Sequence, residues 1–199
     1  MDIIKLPVGL YQANCYIVRK GRDVLIIDPG SKADRILTKL NSDDHVLAVL
    51  LTHGHFDHIG AVDEIIKAVN CPLYCHPSEV ELLLDPEKNY SLTKKIRVIS
   101  SSKSILDLNT LGSFDILVHE TPGHTQGSVI LQIEDHLFTG DTLFRLGEGR
   151  TDLYSGNPQS MKKTLQAIRL WDSHLVVHPG HDEDTVLAVE FKESPSFNR

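Results

Sequence analysis

The segment Thr52–Gly60, THGHFDHIG, constrains the fold of this chain most, because it packs three histidines and an aspartate into six residues directly after an apolar run. That run, HVLAVLLTH, is continuous, as expected of a strand buried on both faces. His53 and His55 are two residues apart, so in extended chain their side chains point the same way. Asp57 and His58 fall at the start of the next predicted helix and point elsewhere. The segment therefore predicts a strand that ends at a cluster of metal-binding side chains.

The same order, an apolar run and then a candidate ligand, recurs three times later in the chain. FDILVHETPGH ends at His124, HLFTGD at Asp141 and HLVVHPGH at His181, and a glycine precedes each of these ligands. Glycine permits the tight backbone turn that directs a side chain back across a strand end. Strand ends held in one sheet bring such groups to one cleft. We therefore expect all four strand ends to contribute to a single site.

The seven candidate ligands divide into two sets of three and one shared carboxylate. The set expected to hold one ion is His53, His55 and His124. The set expected to hold a second ion is Asp57, His58 and His181. Asp141 is expected to bridge the ions, roughly 3.5–4 Å apart, since one carboxylate has two oxygens. We therefore expect two divalent metal ions as cofactors. Zinc suits these imidazole and carboxylate ligands, and iron or manganese can also use them.

Composition and charge limit the partners of the protein. The formal net charge is −7, which argues against a nucleic-acid backbone as the main partner. No apolar run approaches the roughly 18 residues of a membrane span, and no signal peptide is visible at the N-terminus. Cys15, Cys71 and Cys75 cannot all pair with one another, which favours free thiols in a reducing compartment. We expect a cytoplasmic protein that binds a small molecule, neither nucleic acid nor membrane, with its oligomeric state left open.

Short β-branched strands and amphipathic helices are interspersed along the chain, with no repeat and no clear linker. The segment 86–104 is weakly patterned, and we interpret it as a loop that contains at most one strand, at KIRVIS. The pattern predicts a single domain of mixed α and β structure over residues 1–199.

The combined motifs resemble the metallo-β-lactamase fold superfamily and are most similar to its glyoxalase II-like hydrolases. They are His53-x-His55-x-Asp57-His58, His124 in TPGHTQGS, Asp141 in FTGDTLF and His181 in PGH. The resemblance runs from about Asn14 to His181. It implies an α+β fold, an αββα four-layer sandwich with a dinuclear site at one edge. Because the chain stops 18 residues after His181, we expect it to lack the additional C-terminal helical domain of glyoxalase II enzymes.

The resemblance implies a metal-dependent hydrolase, most directly a glyoxalase II-like thioesterase that attacks a small thiol ester with a metal-bound hydroxide. Asp57 is then the catalytic residue, a ligand that also holds and orients the hydroxide. In glyoxalase II enzymes a basic residue on the loop after the bridging aspartate touches the thioester substrate. The matching residue here is Arg150, which would suit an anionic substrate. A salt bridge to Asp152 is the alternative role of Arg150.

Other activities on this fold remain open at the level of sequence. A mononuclear iron persulfide dioxygenase would use His53, His124 and Asp141 as a facial triad. A lactonase and a non-catalytic metal-binding scaffold are further alternatives. Asp28, in IIDPGS, is interpreted as a turn and helix-cap aspartate in preference to a metal ligand, while His119 and His178 are expected to be structural or to support the ligands.

Overall fold

Fifteen strands and six α-helices form residues 1–198, the part of the chain that this computed structural model describes. The strands are β1 Asp2–Val8, β2 Ala13–Lys20, β3 Asp23–Ile27, β4 His45–Leu50, β5 Leu73–Cys75, β6 Ser102–Ser104, β7 Thr110–Leu111, β8 Phe114–Asp115, β9 Leu117–Glu120, β10 Val129–Ile133, β11 His136–Gly140, β12 Leu143–Phe144, β13 Gly147–Glu148, β14 Val176–Pro179 and β15 Thr185–Val186. The helices are α1 Ala33–Leu37, α2 Phe56–Ile59, α3 Val62–Val69, α4 Val80–Leu84, α5 Pro158–Ile168 and α6 Leu187–Glu193, and a 3₁₀ turn at Pro77–Glu79 precedes α4.

Two large sheets organise these elements. The N-terminal sheet has the order β1-β2-β3-β4-β5-β6, and the C-terminal sheet has the order β15-β14-β11-β10-β9. In the first, β1 to β3 are antiparallel neighbours, whereas β3 to β6 run parallel. In the second, β11 and β14 are the parallel pair. Each sheet therefore has parallel strands whose carboxyl ends can converge on a site.

Three hydrophobic clusters separate four layers. The first cluster lies between the N-terminal sheet and its helices, and includes Ile17, Ile26, Ile36, Val49 and Ile65. The second lies between the two sheets, and includes Tyr16, Leu25, Ile27, Leu131 and Phe138. The third lies between the C-terminal sheet and its helices, and includes Ile130, Leu137, Met161, Val177 and Leu187. The order of layers is therefore αββα, as the sequence predicted.

Alternation along the inner strands explains why each sheet is covered on both sides. In β2, Ile17 contributes to the helix-facing cluster, while its neighbour Tyr16 contributes to the cluster between the sheets. In β10, Ile130 faces the C-terminal helices and Leu131 faces the other sheet. Successive side chains on a strand point to opposite faces, so a fully apolar strand needs apolar cover on both.

Two local expectations were wrong. The segment 86–104 contains one strand, but it is Ser102–Ser104, which extends the N-terminal sheet, and not KIRVIS. Asp28 caps no helix, since α1 begins after Lys32 without a side-chain cap. None of the helices within residues 1–198 combines the length and the apolar character that a membrane span requires.

Candidate metal centre

Each of the seven candidate ligands follows the carboxyl end of a strand, at the edge where the two sheets meet. His53, His55, Asp57 and His58 lie in the segment after β4, where α2 begins at Phe56. His124 follows β9, Asp141 directly follows β11 and His181 follows β14. The structure brings all seven together. His53, His55 and His124 form one group, and Asp57, His58 and His181 form another, with ligand atoms in each group within 4.8 Å of one another.

Hydrogen bonds fix the tautomer of His53. The Thr52 hydroxyl donates to Asp28 Oδ2 at 2.6 Å, so the hydroxyl oxygen is left to accept from His53 Nδ1, 3.1 Å away. Nε2 of His53 then carries a lone pair. This Nε2 is buried and has no hydrogen-bond partner among the described residues. A buried imidazole lone pair without a donor is the arrangement expected of a metal ligand.

His124 is oriented in the same way by a backbone oxygen. Its Nδ1 donates to the carbonyl oxygen of Arg150 at 2.7 Å, which leaves the lone pair of the ring on Nε2. That Nε2 lies 2.8 Å from Nδ1 of His55. The rings of His53 and His124 are 4.8 Å apart between centroids. Three imidazole nitrogens therefore converge at one point.

The second group is oriented by oxygens from other parts of the chain. His58 Nδ1 lies 2.9 Å from Asp28 Oδ2, and His181 Nδ1 donates to the carbonyl oxygen of Tyr11 at 3.1 Å. Nε2 of His181 then faces Asp57 Oδ2 at 3.4 Å. A histidine that donates one ring N–H to an oxygen presents the other nitrogen to a metal.

Asp141 lies between the two groups. Its Oδ1 is 3.3 Å from Nε2 of His58, and its Oδ2 is 3.5 Å from Nε2 of His124 and 3.6 Å from Nε2 of His181. Asp141 Oδ1 and His58 Nε2 are both buried without a hydrogen bond among the described residues. One carboxylate thus faces donors of both groups. The donor set suits two divalent ions that share this carboxylate.

The electrostatics of the cluster follow from burial and from its carboxylates. Burial lowers the pKa of His55 to about 3 and holds the pKa of His53 well below its usual value. Both imidazoles are therefore neutral, as ligands must be. Burial also opposes charge on His58, but Asp141 and Asp28 outweigh it and raise the pKa of His58 well above its usual value. The carboxylates of Asp141 and Asp28 thus favour positive charge beside His58.

Two glycines make the approach of Asp141 possible. Gly140 has φ of +48°, and a Cβ there would collide with the Thr52 side chain. A Cβ at Gly180 would collide with Oδ1 of Asp141 and lie 2.8 Å from Cε1 of His58. The glycines that precede Asp141 and His181 are therefore needed for close approach across the sheets as well as for the turn.

A cavity of about 560 Å³ opens beside Asp57. Its walls are the segment Val8–Tyr11, the start of α2 at Phe56, and residues 90–94 and 96 from the weakly patterned segment. Tyr90 has φ of +66°, a costly conformation for an aromatic residue, and its ring lies 5.8 Å from that of His55. Lys94 is an exposed cation of this wall. The segment left without a role by sequence reasoning thus lines a cavity beside the cluster.

The candidate substrate residue Arg150 is held at the rim of the site. Its guanidinium makes two bonds to Asp152, of 2.7 and 2.8 Å, and the side chain is 62% exposed. Its carbonyl oxygen is the group that orients His124. The salt bridge that was the alternative role is therefore present, and contact with substrate stays a proposal.

Histidines outside the cluster have other partners. His119 Nε2 lies 3.0 Å from the side chain of Gln132, and His178 bonds to His136 and Asp184. Sequence reasoning missed Tyr90 and Lys94, because neither belongs to a pattern and both reach the site only through the path of a loop.

The chain belongs to the metallo-β-lactamase superfamily: the family model described as the metallo-beta-lactamase superfamily matches residues 8–191. It is 35% identical to a probable metallo-hydrolase of Bacillus subtilis, YqgX, over 98% of this chain and 96% of that protein. It is 30% identical to the hydroxyacylglutathione hydrolase GloC of Haemophilus influenzae, over 100% of this chain and 99% of that protein. These similarities support a metallo-hydrolase.

Solved structures agree with this assignment. BLEG-1, described as a B3 metallo-beta-lactamase, superposes with a TM-score of 0.94 at 34% identity, over 100% of both chains. TTHA1623, solved in a di-iron-bound form, superposes with a TM-score of 0.83 at 30% identity, over 96% of this chain and 98% of that one. The fold is therefore the metallo-β-lactamase fold, and its cluster of histidines and aspartates is of the metal-binding kind.

Proposed function

We propose that the protein is a metal-dependent thioester hydrolase that binds two ions through the seven clustered residues. The observation that carries the proposal is the position of Asp141, whose Oδ2 faces His124 of one group and His181 of the other, while its Oδ1 faces His58. Similarity to GloC along the whole chain supports a thioester as the substrate. Zinc is the metal we expect, and iron is supported by the di-iron form of TTHA1623.

The residues of the cluster have different roles in the proposed hydrolysis. Two divalent ions bound there lower the pKa of a water towards neutrality and polarise a carbonyl oxygen. Asp57, with one oxygen 3.4 Å from His181 Nε2, is placed to bind and to orient the attacking water with the other. A thiol has a pKa of about 8.5, so a thiolate leaves without a strong general acid. Hydrolysis of a thioester therefore needs no separate general acid. This fits a site in which all seven titratable residues are assigned as metal ligands.

The cavity beside Asp57 is the proposed binding place for the thiol portion of the substrate. Aromatic and apolar side chains, among them Tyr11, Phe56 and Ile96, line it next to the cation Lys94. Such a wall suits a small thiol that has an apolar part and a carboxylate. Arg150, at the rim, would interact with a second acidic group.

Hydrolysis of β-lactams is the second candidate, because BLEG-1 superposes so closely. The leaving group decides between the two. An amine needs a proton to leave, whereas a thiolate does not, and no side chain of the cluster is left over as a general acid. We therefore favour the thioester.

A substrate panel tests the proposal. Protein loaded with two equivalents of zinc, or of iron, is assayed on thioesters with and without a carboxylate, on lactones and on a β-lactam, with released thiol or acid as the readout. We expect thioester turnover that chelation abolishes and metal restores. Turnover restricted to β-lactams or lactones, or thioester turnover at full rate after complete removal of metal, would contradict it.

A further inference from the structure

One buried carboxylate outside the cluster connects the two loops that carry the three-histidine group. Glu79, at the end of the 3₁₀ turn before α4, has no exposed surface. Its Oε2 accepts from the amide of Gly54 at 2.7 Å, and its Oε1 accepts from the amide of Gly127 at 2.8 Å. Gly54 lies between His53 and His55, and Gly127 lies three residues after His124.

The two glycines leave just enough room for this carboxylate. A Cβ at Gly127 would lie 2.7 Å from Oε1 of Glu79 and 2.6 Å from Nδ1 of His76. A Cβ at Gly54 would lie 3.1 Å from Oε2 and 2.7 Å from the Cβ of Leu82. A side chain at 127 would therefore collide with the carboxylate and one at 54 would crowd it, so glycine at both positions permits its close contact with the backbone of the two loops.

Burial makes the position of this group costly, so its contacts must compensate. Burial raises the pKa of the Glu79 carboxyl, and its bonds with Thr125 and with the amides of Gly54 and Gly127 counteract that rise. An acidic side chain that is fully buried is rare unless it is paired or well hydrogen-bonded. Here the bonds join two loops that are more than 70 residues apart in sequence.

We propose that Glu79 is a positioning residue that holds His53, His55 and His124 in ligand geometry before a metal ion binds. The geometry confines this effect to one group of ligands. Asp57 and His58 belong to α2, and His58 is oriented by Asp28, with which Glu79 shares no hydrogen bond. The inference rests on the proposed division of the seven residues between two ions. It predicts unequal metal affinities when Glu79 is changed.

The test is Glu79→Gln, compared with Glu190→Gln as a matched control. Glu190 is also fully buried and accepts two hydrogen bonds, from the Leu146 amide and the Thr185 hydroxyl, outside the cluster. Both variants replace a buried carboxylate by an amide, which cannot accept at two oxygens. Melting temperature is recorded for each, so that a general loss of stability is measured separately from metal binding.

Metal binding is measured by titration with zinc against a chromophoric chelator and with Co²⁺, whose visible spectrum reports coordination. For Glu79→Gln we expect one site to weaken by about 10–100-fold and the other to stay unchanged, the range found for residues that support ligands. The Co²⁺ bands of the three-histidine site should change with it. For Glu190→Gln both affinities should match the original protein. Unchanged affinities in Glu79→Gln, or equal losses at both sites, would overturn the inference.

Amide exchange in the unaltered protein provides an independent answer if Glu79→Gln does not fold. The amide protons of Gly54 and Gly127 should exchange slowly in the zinc-loaded protein and remain slow after chelation. Rapid exchange of either amide in the metal-free chain would overturn the inference. A protein that binds two ions and hydrolyses no thioester would refute the proposed function while leaving the role of Glu79 intact.

Discussion

Nε2 of His58 lies 3.3 Å from Oδ1 of Asp141, and both atoms are buried. The opposite nitrogen of the same ring lies 2.9 Å from Asp28, at the end of β3. Asp141 follows β11 in the other sheet. The imidazole thus connects a carboxylate of each sheet, and its orientation depends on how the two sheets pack.

Asp141→Ala should remove metal and activity together, because the side chain faces both groups of ligands. We expect fewer than two bound equivalents and a fall in kcat/KM of at least about 100-fold, the scale seen when one stabilising group is removed from an active site. Asp135→Ala is the control, since Asp135 is exposed in the turn immediately before β11, the strand that Asp141 follows. Elemental analysis and steady-state kinetics report the result. Two tightly bound ions with full turnover would show that Asp141 does not bridge.

Asp28→Asn should weaken the group that contains His58 more than the three-histidine group. Asp28 accepts from the Thr52 amide at 2.8 Å and from the Thr52 hydroxyl, besides its bond with His58. An amide offers one acceptor oxygen where the carboxylate offers two, so the ring of His58 loses its fixed tautomer. We expect about 10–100-fold weaker binding of one ion, measured by calorimetry. An equal loss of affinity at both sites, or no loss at either, would contradict this prediction.

Asp57→Asn should lower kcat by more than it raises KM. The substitution keeps the shape but removes the charge and half of the acceptor capacity, and the lost interaction is mainly with the attacking nucleophile. We expect a fall of about 100-fold or more in kcat and a change of less than about threefold in KM. Steady-state kinetics on one thioester at saturating metal separate the two. A rise in KM with unchanged kcat would assign Asp57 to substrate binding.

Arg150→Ala should raise KM for a thioester that bears a carboxylate and leave a neutral thioester almost unaffected. Arg150 is exposed and already paired with Asp152, so we expect KM to rise by only about three- to tenfold. The lost interaction stabilises the ground state and the transition state equally, so kcat should not change. Arg22→Ala is the matched control, because Arg22 is also exposed and lies 4.0 Å from Asp43, in the β2–β3 turn. If both variants raise KM alike, the loss of one positive charge from the protein surface explains the effect, and Arg150 has no specific contact with the substrate.

Removal of metal should lower the melting temperature. A ligand that binds only the folded state at a concentration of 100 Kd adds about 2.7 kcal/mol to the free energy of unfolding. For a chain of this size that amounts to roughly 5–10 °C. Calorimetry before and after chelation, with metal added back, measures the shift. An unchanged melting temperature would mean that the cluster holds no ion tightly.

The sequence alone specified the ligand set and its strand-end setting. Apolar runs, alternating or continuous, indicate where strands end. The residues that follow each run, such as His124 and Asp141, can then be identified from the sequence. The directions in which His53, His55, Asp57 and His58 point likewise follow from their spacing and the local backbone geometry. For this reason the seven residues that the structure brings together could be identified, and their motifs resemble a family whose αββα fold the chain shares.

Contacts between distant segments could not be predicted, because no local pattern encodes them. Asp28 looked like a turn residue, yet its carboxylate orients His58, 30 residues away. Glu79 accepts from amides 25 and 48 residues away, and nothing beside it in sequence distinguishes it from a surface glutamate. Backbone amides carry no sequence signal, since every residue except proline has one.

The sequence by itself determined which side chains can bind metal and at which strand ends they lie. The tertiary structure alone decided which oxygens orient those side chains, and that the loop around Tyr90 and Lys94 forms the wall of a cavity. The physical reason is the range of the forces involved. Strand periodicity and glycine turns act within a few residues, whereas the bonds of Asp28 and Glu79 form only after two sheets have packed and excluded water from the carboxylates between them.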